Sequence, residues 1–349
     1  MARVMHVLLS GGYSGAENVA ATIALLEKEN EHIYVSPPGV ISSVLERLGI
    51  RHVEVPRVTP SAISRVIREH CPNVVHAHDI GAATIVALDH LVHRHYRLLT
   101  HIHCNHPNMR RVSVRSLLLL FVNTQSDALF VVSRPVIDDY LFKKWIKTPT
   151  VLPNVVNEEL IMESSRKSLA KNIDVVFLAR LTHPKNPLGF IDVIAGVRKS
   201  IPGLKVVVIG DGELAEQTKA KTVGEGLEDV VEFLGFQANP YPYVKQARIC
   251  VLTSVWEGYP MSALEAMLLG VPIVCTDVGG LPQMVNDSVG RVCTTLAQIE
   301  EEVIHLLSDP KYLEEKTAKT TDHARQINNV KGFKQILSST YHRLAEMSR

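Results

Sequence analysis

The sequence predicts an α/β protein with two doubly wound domains, each built around a parallel sheet. The chain has 349 residues, which is more than one compact core of ordinary size requires. Short, continuously apolar runs such as Val206–Ile209 recur along it, and such runs are typical of parallel strands buried on both faces. Helical stretches alternate with these runs, as they do in doubly wound α/β units.

The predicted strands fall into two sets. In the first half they lie near 3–10, 32–36, 52–55, 74–78, 97–103, 128–133 and 149–153. In the second half they lie near 174–179, 205–209, 230–234, 249–253, 271–276 and 290–293. Helices such as Ala16–Glu29 and Ser61–His70 separate them. Because one such sheet usually holds about five to seven strands, two sets predict two similar domains.

The boundary between the domains is expected after Asn154, where a polar stretch at 157–172 precedes a new strand. This gives an N-terminal domain at 1–155 and a C-terminal domain at 156–331. A last helix, within 332–349, follows no further strand and is expected to cross back to the first domain.

Composition narrows the class of protein. The chain is 46% hydrophobic and 21% charged with a net charge of +1, which argues against disorder and against a nucleic-acid partner. The five cysteines form no C-x-x-C pair, and three of them lie in apolar runs, which favours a reducing compartment. The N-terminus lacks signal-peptide features, and the longest later apolar run, 116–122, is far shorter than the ~20 residues of a membrane-spanning helix. We therefore expect a cytoplasmic protein, at most attached peripherally to the inner face of a membrane.

The strongest motif is the segment Ser254–Met267, followed by Gly270 and Pro272. A strand is predicted to end at Ser254 and a helix to begin near Ser262, so the helix N-terminus lies at the carboxyl edge of the sheet. Open α/β sheets bind ligands at this edge, and a helix N-terminus there suits a diphosphate. Glu257 on the loop and Glu265 one turn into the helix are both in reach of such a ligand. An alternative is a capping box formed by Ser262 and Glu265, which needs no ligand but leaves Glu257 unexplained.

Two further segments follow predicted strands. Arg180 and Lys185 come after the first strand of the second half, where two cations could neutralise a diphosphate; solvated surface cations are the alternative. The turn Gly11–Glu17 comes after the first strand of the chain. Its glycines would let a ligand approach the backbone, although a plain tight turn explains them as well.

One motif points to a different ligand. Residues 210–215 fit the dinucleotide pattern G-x-G-x-x-A, with Asp229 roughly twenty residues on. The pattern follows the second strand of its half rather than the first, and Asp211 would place negative charge beside a pyrophosphate. A nicotinamide-dependent dehydrogenase is therefore the weaker hypothesis.

Histidines cluster at the ends of two predicted strands. His76 and His78 end one strand, and His101 and His103 end the next; a period of two places each pair on one face. A metal site is conceivable, but no third ligand is evident, and buried structural histidines are the alternative for most of them. No D-x-D triplet occurs in the chain, so a metal-bridged diphosphate is not indicated.

The segment 109–121 places three arginines before a leucine-rich helix. It could press against an anionic membrane. The alternative is a buried helix with a solvated basic lead-in.

Taken together, these segments resemble glycosyltransferase family 4, the retaining enzymes of GT-B architecture, over essentially the whole chain. Glu257 to Glu265 looks like the E-x7-E signature of that family, and Arg180 with Lys185 looks like its phosphate clamp. Further similar segments are Gly15–Glu17, 72–78, 127–133, 151–154, 209–212 and 270–280. Since 209–212 also occurs in the family, the dinucleotide hypothesis loses most of its force.

The resemblance implies two facing Rossmann-like domains with an interdomain cleft. The first domain would bind the acceptor and the second the nucleotide-sugar. Arg180 and Lys185 would hold the donor phosphates, Glu265 the ribose hydroxyls, and Glu257 the donor sugar. The other donor-binding positions are Gly12, Gly15, Gly258, Met261 and Ser262.

Catalytic roles are implied for His103 and Glu257, and an acceptor contact for His78. At Gln283 the family usually has Glu, so no carboxylate role is expected there.

The implied activity is transfer of a sugar from a nucleotide diphosphate donor, with UDP the favoured base, and with retention of anomeric configuration. No metal and no other cofactor are expected. The acceptor would be a saccharide or a lipid-linked saccharide of envelope or capsule synthesis. The alternatives are a sugar-nucleotide epimerase of the same architecture, the dehydrogenase, and a nucleotide-sugar-binding protein without activity.

Overall fold

The computed structural model describes residues 1–166 and 172–348. They form two compact units: Met1–Val155 together with the C-terminal segment from Asn329, and Val156–Asn328. Part of the polar stretch at 157–172 forms a short helix, and its residues 167–171 lie outside the described part of the chain, as does Arg349 at the end of the expected last helix.

The first unit contains a parallel sheet with the strand order β3-β2-β1-β4-β5-β6-β7. Its strands are β1 Arg3–Val7, β2 Glu31–Ser36, β3 Arg51–Glu54, β4 Val74–His78, β5 Arg97–Ile102, β6 Ala128–Val131 and β7 Thr150–Val151. The chain moves from β1 outward to β3 and then returns to the other side of β1 at β4. The topological switch point, where such sheets bind ligands, therefore lies between β1 and β4.

Helices of the first unit alternate with these strands. They are α1 Gly15–Leu26, α2 Val40–Arg47, α3 Pro60–His70, α4 Asp79–His90, α5 Val114–Gln125 and α6 Pro135–Asp138, with 3₁₀ turns at Pro107–Arg110 and Lys143–Trp145. Local sequence explains their ends: Thr59 caps α3 by accepting from the Ala62 N–H, and Pro60 fills the first helical position.

The second unit repeats the plan with the order β10-β9-β8-β11-β12-β13. Its strands are β8 Ile173–Leu178, β9 Val206–Ile209, β10 Val231–Gly235, β11 Ala247–Leu252, β12 Ile273–Thr276 and β13 Gly290–Cys293. All pairings are parallel, and the switch point lies between β8 and β11.

Helices of the second unit cover the sheet and bury its apolar side chains. They are α7 Glu158–Ser164, α8 Pro187–Ser200, α9 Ala215–Gly224, α10 Tyr241–Val244, α11 Met261–Leu268, α12 Leu281–Met284, α13 Leu296–Ser308 and α14 Pro310–Ile327. Cys250, Cys275 and Cys293 are buried in three neighbouring strands, and all five cysteines are free thiols.

The last helix, α15 Val330–Met347, packs on β4 and β5 of the first unit. Its Phe333, Leu337, Tyr341 and Leu344 are buried there. The predicted two-sheet α/β fold is confirmed, with strand ends shifted by a few residues. The largest shift is in β1, which ends at Val7 rather than at residue 10.

Candidate active site

In the second unit, the predicted donor-binding residues lie on loops at the carboxyl edge of the sheet. Arg180 and Lys185 follow β8, and Glu257 follows β11. These two strands are neighbours, so the two loops emerge side by side at the switch point. Thr253 joins them, because its hydroxyl donates to the carbonyl oxygen of Asn186 at 2.9 Å.

Lys185 and Glu257 form an ion pair at this point. The Lys185 ammonium contacts Oε1 of Glu257, and the Ser254 hydroxyl donates to the same oxygen at 2.7 Å. The side chains are 19% and 8% exposed, so the pair is largely shielded from water but has one accessible side. Because the two charges cancel, a bound anion would meet no bare carboxylate there.

Arg180 lies on the loop after β8 that also carries Lys185, and it is exposed. Within residues 1–166 and 172–348, no hydrogen bond or ion pair of its guanidinium is seen. The planar donor fork is thus available for a phosphate.

Helix α11 begins at Met261, directly after Pro260, which is its N-cap. Ser262 is therefore the second helical residue and caps nothing, so the capping-box alternative is wrong. Met261 and Ser262 lie in the first turn, where backbone N–H groups have no partner inside the helix. Such groups attract anions when the helix end faces a ligand.

Glu265 is buried one turn further along α11, and its Oε1 accepts a long hydrogen bond of 3.4 Å from the Tyr241 hydroxyl. Burial raises the pKa of Glu265 to about 7, and the hydrogen bond from Tyr241 offsets only part of that effect. A buried carboxyl with so little hydrogen bonding is ready to accept from hydroxyl groups of a ligand.

Two glycines of the following loop fix the position of Glu257. Gly279 has a φ of +56°, and a Cβ there would lie 2.1 Å from the carbonyl oxygen of Glu257. The Gly280 N–H donates to the carbonyl of Gly258 at 2.7 Å. Gln283, in the next short helix, is exposed.

The glycines of the dinucleotide-like motif pack against the Arg180 loop. A Cβ on Gly210 would lie 1.9 Å from the carbonyl oxygen of Ala179, and one on Gly212 would lie 2.4 Å from that of Leu181. Asp229, the ribose ligand of the dehydrogenase hypothesis, pairs with Arg198 on the surface at 3.2 Å. Close packing of two loops thus explains this motif without a dinucleotide.

In the first unit, the glycine-rich turn after β1 combines packed and open positions. A Cβ on Gly11 would lie 2.2 Å from the carbonyl oxygen of Pro38, so Gly11 is needed for the fold. The Gly12 N–H donates to the Ser10 hydroxyl at 2.9 Å. At Gly15, the first residue of α1, a Cβ would meet nothing within 4 Å, so the backbone there is open to a ligand.

The histidines of β1, β4 and β5 lie on one face of the first sheet. His6 is in register with His76, and His78 with His101. His103 follows the end of β5, with its Nε2 2.9 Å from Nδ1 of His78. The other ring nitrogen of His78 lies 3.0 Å from His6, and His78 is only 2% exposed.

His78 therefore has no free ring nitrogen for an acceptor. The expected acceptor contact of His78 is not favoured by this placement, whereas His103 lies nearer the edge.

Two groups of three histidines have ring nitrogens within 4.8 Å of one another: His6, His76 and His78, and His78, His101 and His103. Both groups include His78, whose two nitrogens already bond to other imidazoles. A metal ion at either place would have to break one of these hydrogen bonds. The side chains of His6, His78 and His103 are joined by hydrogen bonds in this arrangement.

Asp79 is a functional candidate that the sequence analysis missed. It follows His78 with a φ of +64°, a strained value for a residue other than glycine. Its Oδ1 accepts a hydrogen bond of 2.9 Å from the backbone N–H of His103, and this bond fixes His103 at the end of β5. The acidic residue directly after the His-Ala-His strand was a visible indication of this role. Ser254 and Tyr241 were also missed, because only the fold brings them to Glu257 and Glu265.

Comparisons with known proteins agree with the fold. Residues 159–327 match the family model described as glycosyl transferases group 1. The fold resembles that of HepE from Anabaena, solved in complex with UDP-glucose, with a TM-score of 0.85 and 18% identity over 98% of this chain and 100% of that one.

Two curated relatives illustrate the sequence similarity. An α-1,4-N-acetylgalactosaminyltransferase of Campylobacter jejuni, which is named for a diphospho-undecaprenol-linked saccharide, is 30% identical over 36% of this chain and 34% of its own. The O-antigen biosynthesis glycosyltransferase WbnH of Escherichia coli is 25% identical over 67% of this chain and 66% of its own. The first three curated relatives are matched over only 39%, 18% and 34% of their lengths.

The fold is thus GT-B, and the matches support a glycosyltransferase. The homologues include glycosyltransferases of O-antigen and of amylovoran biosynthesis.

Proposed function

We propose that the protein is a retaining glycosyltransferase that moves a sugar from a UDP-sugar onto a saccharide or lipid-linked saccharide acceptor. The observation that carries the proposal is the arrangement at the switch point of the second sheet. There, the free guanidinium of Arg180, the shielded Lys185–Glu257 pair and the N-terminus of α11 meet at one edge.

The leaving group of such a reaction is a nucleoside diphosphate, on which negative charge grows as the glycosidic bond breaks. Arg180 and Lys185 would bind its phosphates, and the N–H groups of Met261 and Ser262 would add donors from the helix end. Stabilisation of developing charge by fixed groups of this kind lowers the barrier without a metal. The lack of a D-x-D triplet supports metal independence.

Glu257 is proposed to contact the donor sugar. Its Oε1 is engaged by Lys185 and Ser254, and no described contact uses its Oε2. A sugar hydroxyl can donate to this second oxygen while the Lys185 ammonium turns toward the phosphate. Glu257 would thereby couple the position of the sugar to that of the diphosphate.

Glu265 is proposed to accept from the ribose hydroxyls. These donors favour the ionised carboxylate, so ligand binding would lower its raised pKa. Binding near pH 6 should accordingly release a proton from Glu265, which links nucleoside recognition to pH.

The first domain is proposed to supply His103 and the open backbone near Gly12 and Gly15. Front-face transfer requires the acceptor hydroxyl to attack from the side on which the diphosphate leaves. Two carboxylates on opposite faces of the sugar, as in glycosidases, are not part of this scheme. UDP as the nucleotide of the donor is supported by the HepE complex with UDP-glucose. A lipid-linked acceptor is supported by the name of the Campylobacter relative.

Calorimetric titration with UDP and with NAD tests the donor site. Wild type should bind UDP and not NAD. Lys185→Met should lose about 1.5–3 kcal/mol of UDP binding, or roughly 10- to 150-fold, because it removes a charge-assisted contact. Lys221→Met, which removes a lysine paired with Asp192 at 2.5 Å elsewhere in the same unit, is the matched control. Tight NAD binding, or equal losses in both variants, would contradict the proposed site.

A surface around α5 is proposed to contact an anionic membrane. Val112, Val114 and Leu117 are 68%, 76% and 51% exposed, and Arg111 and Arg115 are exposed beside them. Arg110 is paired with Asp139 at 2.6 Å. Exposed apolar side chains flanked by cations are typical of interfacial attachment. Among the described helices, none is both long and apolar enough to cross a bilayer.

Vesicle co-sedimentation tests this surface. Binding to phosphatidylglycerol vesicles should exceed binding to phosphatidylcholine vesicles and fall as salt is added, because the attraction is screened. Replacing Arg111 and Arg115 by Ala should weaken it, whereas the control Arg65→Ala with Arg68→Ala on α3 should not. Salt-insensitive binding, or equal binding of both double variants, would remove the proposed surface.

A further inference from the structure

An unbroken series of hydrogen bonds joins a buried carboxylate to His103. It runs from Glu27 Oε2 to His32 Nε2 at 2.8 Å, and from His32 Nδ1 to His6 Nε2 at 2.9 Å. It continues from His6 Nδ1 to His78 Nε2 at 3.0 Å, and from His78 Nδ1 to His103 Nε2 at 2.9 Å. These five residues are called the imidazole chain.

The imidazole chain is closed to water along most of its length. Glu27 is 1% exposed, His6 is fully buried and His78 is 2% exposed. The residues come from the end of α1 and from β2, β1, β4 and the end of β5, so the imidazole chain crosses the sheet diagonally toward its carboxyl edge. Neutral imidazoles in such a line each have one donor and one acceptor nitrogen.

Glu27 sets the direction of every hydrogen bond. Burial alone would raise the pKa of Glu27, but hydrogen bonds from His32, Asn30 and Ser338, together with the electrostatic attraction of His32, outweigh it and lower the pKa to about 2. Glu27 is therefore a carboxylate at neutral pH and can only accept. His32 must then donate from Nε2, which leaves its Nδ1 to accept from His6, and the same order repeats to the end. Each ring carries its proton on Nε2, and His103 is left with a bare Nδ1.

That terminal nitrogen is poised for a ligand. Nδ1 of His103 is buried and has no hydrogen-bond partner among the described residues. A buried acceptor without a donor costs free energy, and a hydroxyl of a bound molecule would remove that cost. His103 is itself held in place by the bond from its backbone N–H to Asp79.

We propose that the imidazole chain is a proton relay that takes a proton from a sugar hydroxyl at Nδ1 of His103 and delivers a proton to His32, where the Glu27 carboxylate stabilises the resulting positive charge. The hydroxyl O–H bond breaks and His103 gains a proton on Nδ1. His103, His78 and His6 each pass the Nε2 proton to Nδ1 of the next ring, and His32 keeps its own Nε2 proton in the hydrogen bond to Glu27. The sugar oxygen gains one negative charge and His32 one positive charge, while His103, His78 and His6 begin and end neutral. The identity of the hydroxyl rests on the proposed function.

The surroundings keep His6, His78 and His103 neutral, so that these rings conduct a proton rather than hold it. Burial lowers the pKa values of His6, His78 and His103, and neighbouring imidazoles lower those of His6 and His78 further. The other titratable groups that face the chain are His76 and His101 on β4 and β5, Tyr341 on α15 and Asp79 beside His103. Of these, only Asp79 favours a charged ring, and burial outweighs it.

Glu27→Gln should reverse the whole series. Oε1 of Glu27 accepts from the backbone N–H of Glu29 at 3.0 Å and from Ser338 at 3.1 Å, and Oε2 accepts from the Asn30 side-chain amide at 3.2 Å as well as from His32. The backbone N–H of Glu29 is a fixed donor, whereas the Asn30 side chain can turn away, so the amide oxygen of glutamine takes the Oε1 side. Its NH₂ group then faces His32 and donates to Nε2. Every ring must in turn move its proton to Nδ1, and His103 changes from acceptor to donor.

Nitrogen-15 NMR of histidine-labelled protein measures this change without any turnover. Wild type should show couplings across the three imidazole–imidazole hydrogen bonds and Nε2–H forms at His32, His6, His78 and His103. Glu27→Gln should convert the four rings to Nδ1–H. Glu31→Gln is the control. It removes a carboxylate that lies next to His32 on β2 and is paired with Arg3, and it should change none of the four rings. Absent couplings in wild type, or an unchanged His103 in Glu27→Gln, would overturn the relay.

Kinetics supply the second measurement. Glu27→Gln and His6→Phe should lower kcat by roughly 10²-fold or more, with the KM for donor unchanged, since proton removal rather than binding is impaired. His76→Phe, an equally buried ring in register with His6 but outside the chain, should retain kcat. A kcat equal to that of wild type in both Glu27→Gln and His6→Phe would overturn the relay. A wild type without turnover would contradict the proposed function, and the NMR result would still decide the relay.

Discussion

At the scale of single residues, the site depends on charges whose surroundings differ. Lys185 and Glu257 neutralise each other, Arg180 is exposed and unpaired among the described residues, and Glu265 is buried with one long hydrogen bond. The carboxyl groups of Glu257 and Glu265 thus have different environments at the same edge of the sheet. In the proposed function, Glu257 orients the donor sugar and Glu265 accepts hydrogen bonds from the ribose hydroxyls.

The raised pKa of Glu265 makes a prediction about stability. Its pKa is about 7 in the folded protein against an ordinary 4.5, so the folded state holds the proton more tightly. Stability from this group is present below pH 4.5 and is lost as pH rises through 7. Above pH 7 the ionised carboxylate costs about 3 kcal/mol, which Glu265→Gln removes.

Urea unfolding of the two proteins between pH 4 and 8 measures this difference. Glu265→Gln should be more stable than wild type at pH 8, and the gap should shrink toward pH 4.5. The exposed Glu216→Gln controls for loss of a charge. A gap that is constant with pH would show that Glu265 does not titrate in this way.

At the scale of secondary-structure elements, the turn between β1 and α1 contains one glycine that the fold requires and one that is open to a ligand. Gly11 packs against the backbone of the next loop, whereas Gly15 faces open space. Gly11→Ala should therefore lower the melting temperature and leave little folded protein to assay. Gly15→Ala should keep the melting temperature within a few degrees and reduce nucleotide-sugar binding. Thermal unfolding measures the melting temperatures of both variants, and calorimetric titration measures nucleotide-sugar binding. A strongly destabilised Gly15→Ala would mean that this glycine is needed for the fold.

The elements themselves were largely predictable. Continuous apolar runs such as that of β9 mark strands buried on both faces, and all thirteen predicted strands occur. The start of α11 was displaced by one residue, because Pro260 rather than Ser262 ends the preceding loop. That shift removes the capping box and leaves Glu265 for another role.

The side-chain network of the first sheet was not predictable from the same sequence. Spacing placed His76 with His78 and His101 with His103, but it could not bring His6, His32 and Glu27 to them. Those contacts depend on strand order and register, in which β1 pairs with both β2 and β4. Sequence separation hides them, since His6 and His78 are 72 residues apart.

At the scale of the whole molecule, the chain builds the same plan twice. Each unit has a parallel sheet with one switch point, and chemically active side chains collect at the carboxyl edge of both. The C-terminal helix α15 belongs to the first unit, where the Tyr341 hydroxyl forms a hydrogen bond of 2.8 Å with Nδ1 of His76. The first unit therefore needs both ends of the chain to complete its core.

The most direct test of the central claim is release of nucleoside diphosphate. Purified protein is incubated with UDP-, GDP- and ADP-sugars in the presence of EDTA, with slow hydrolysis standing in for the acceptor. We predict release from a UDP-sugar, lost in Arg180→Met and retained in Arg198→Met, whose arginine is paired with Asp229. Release that requires a divalent metal, or that survives in Arg180→Met, would contradict the proposed metal-free diphosphate site.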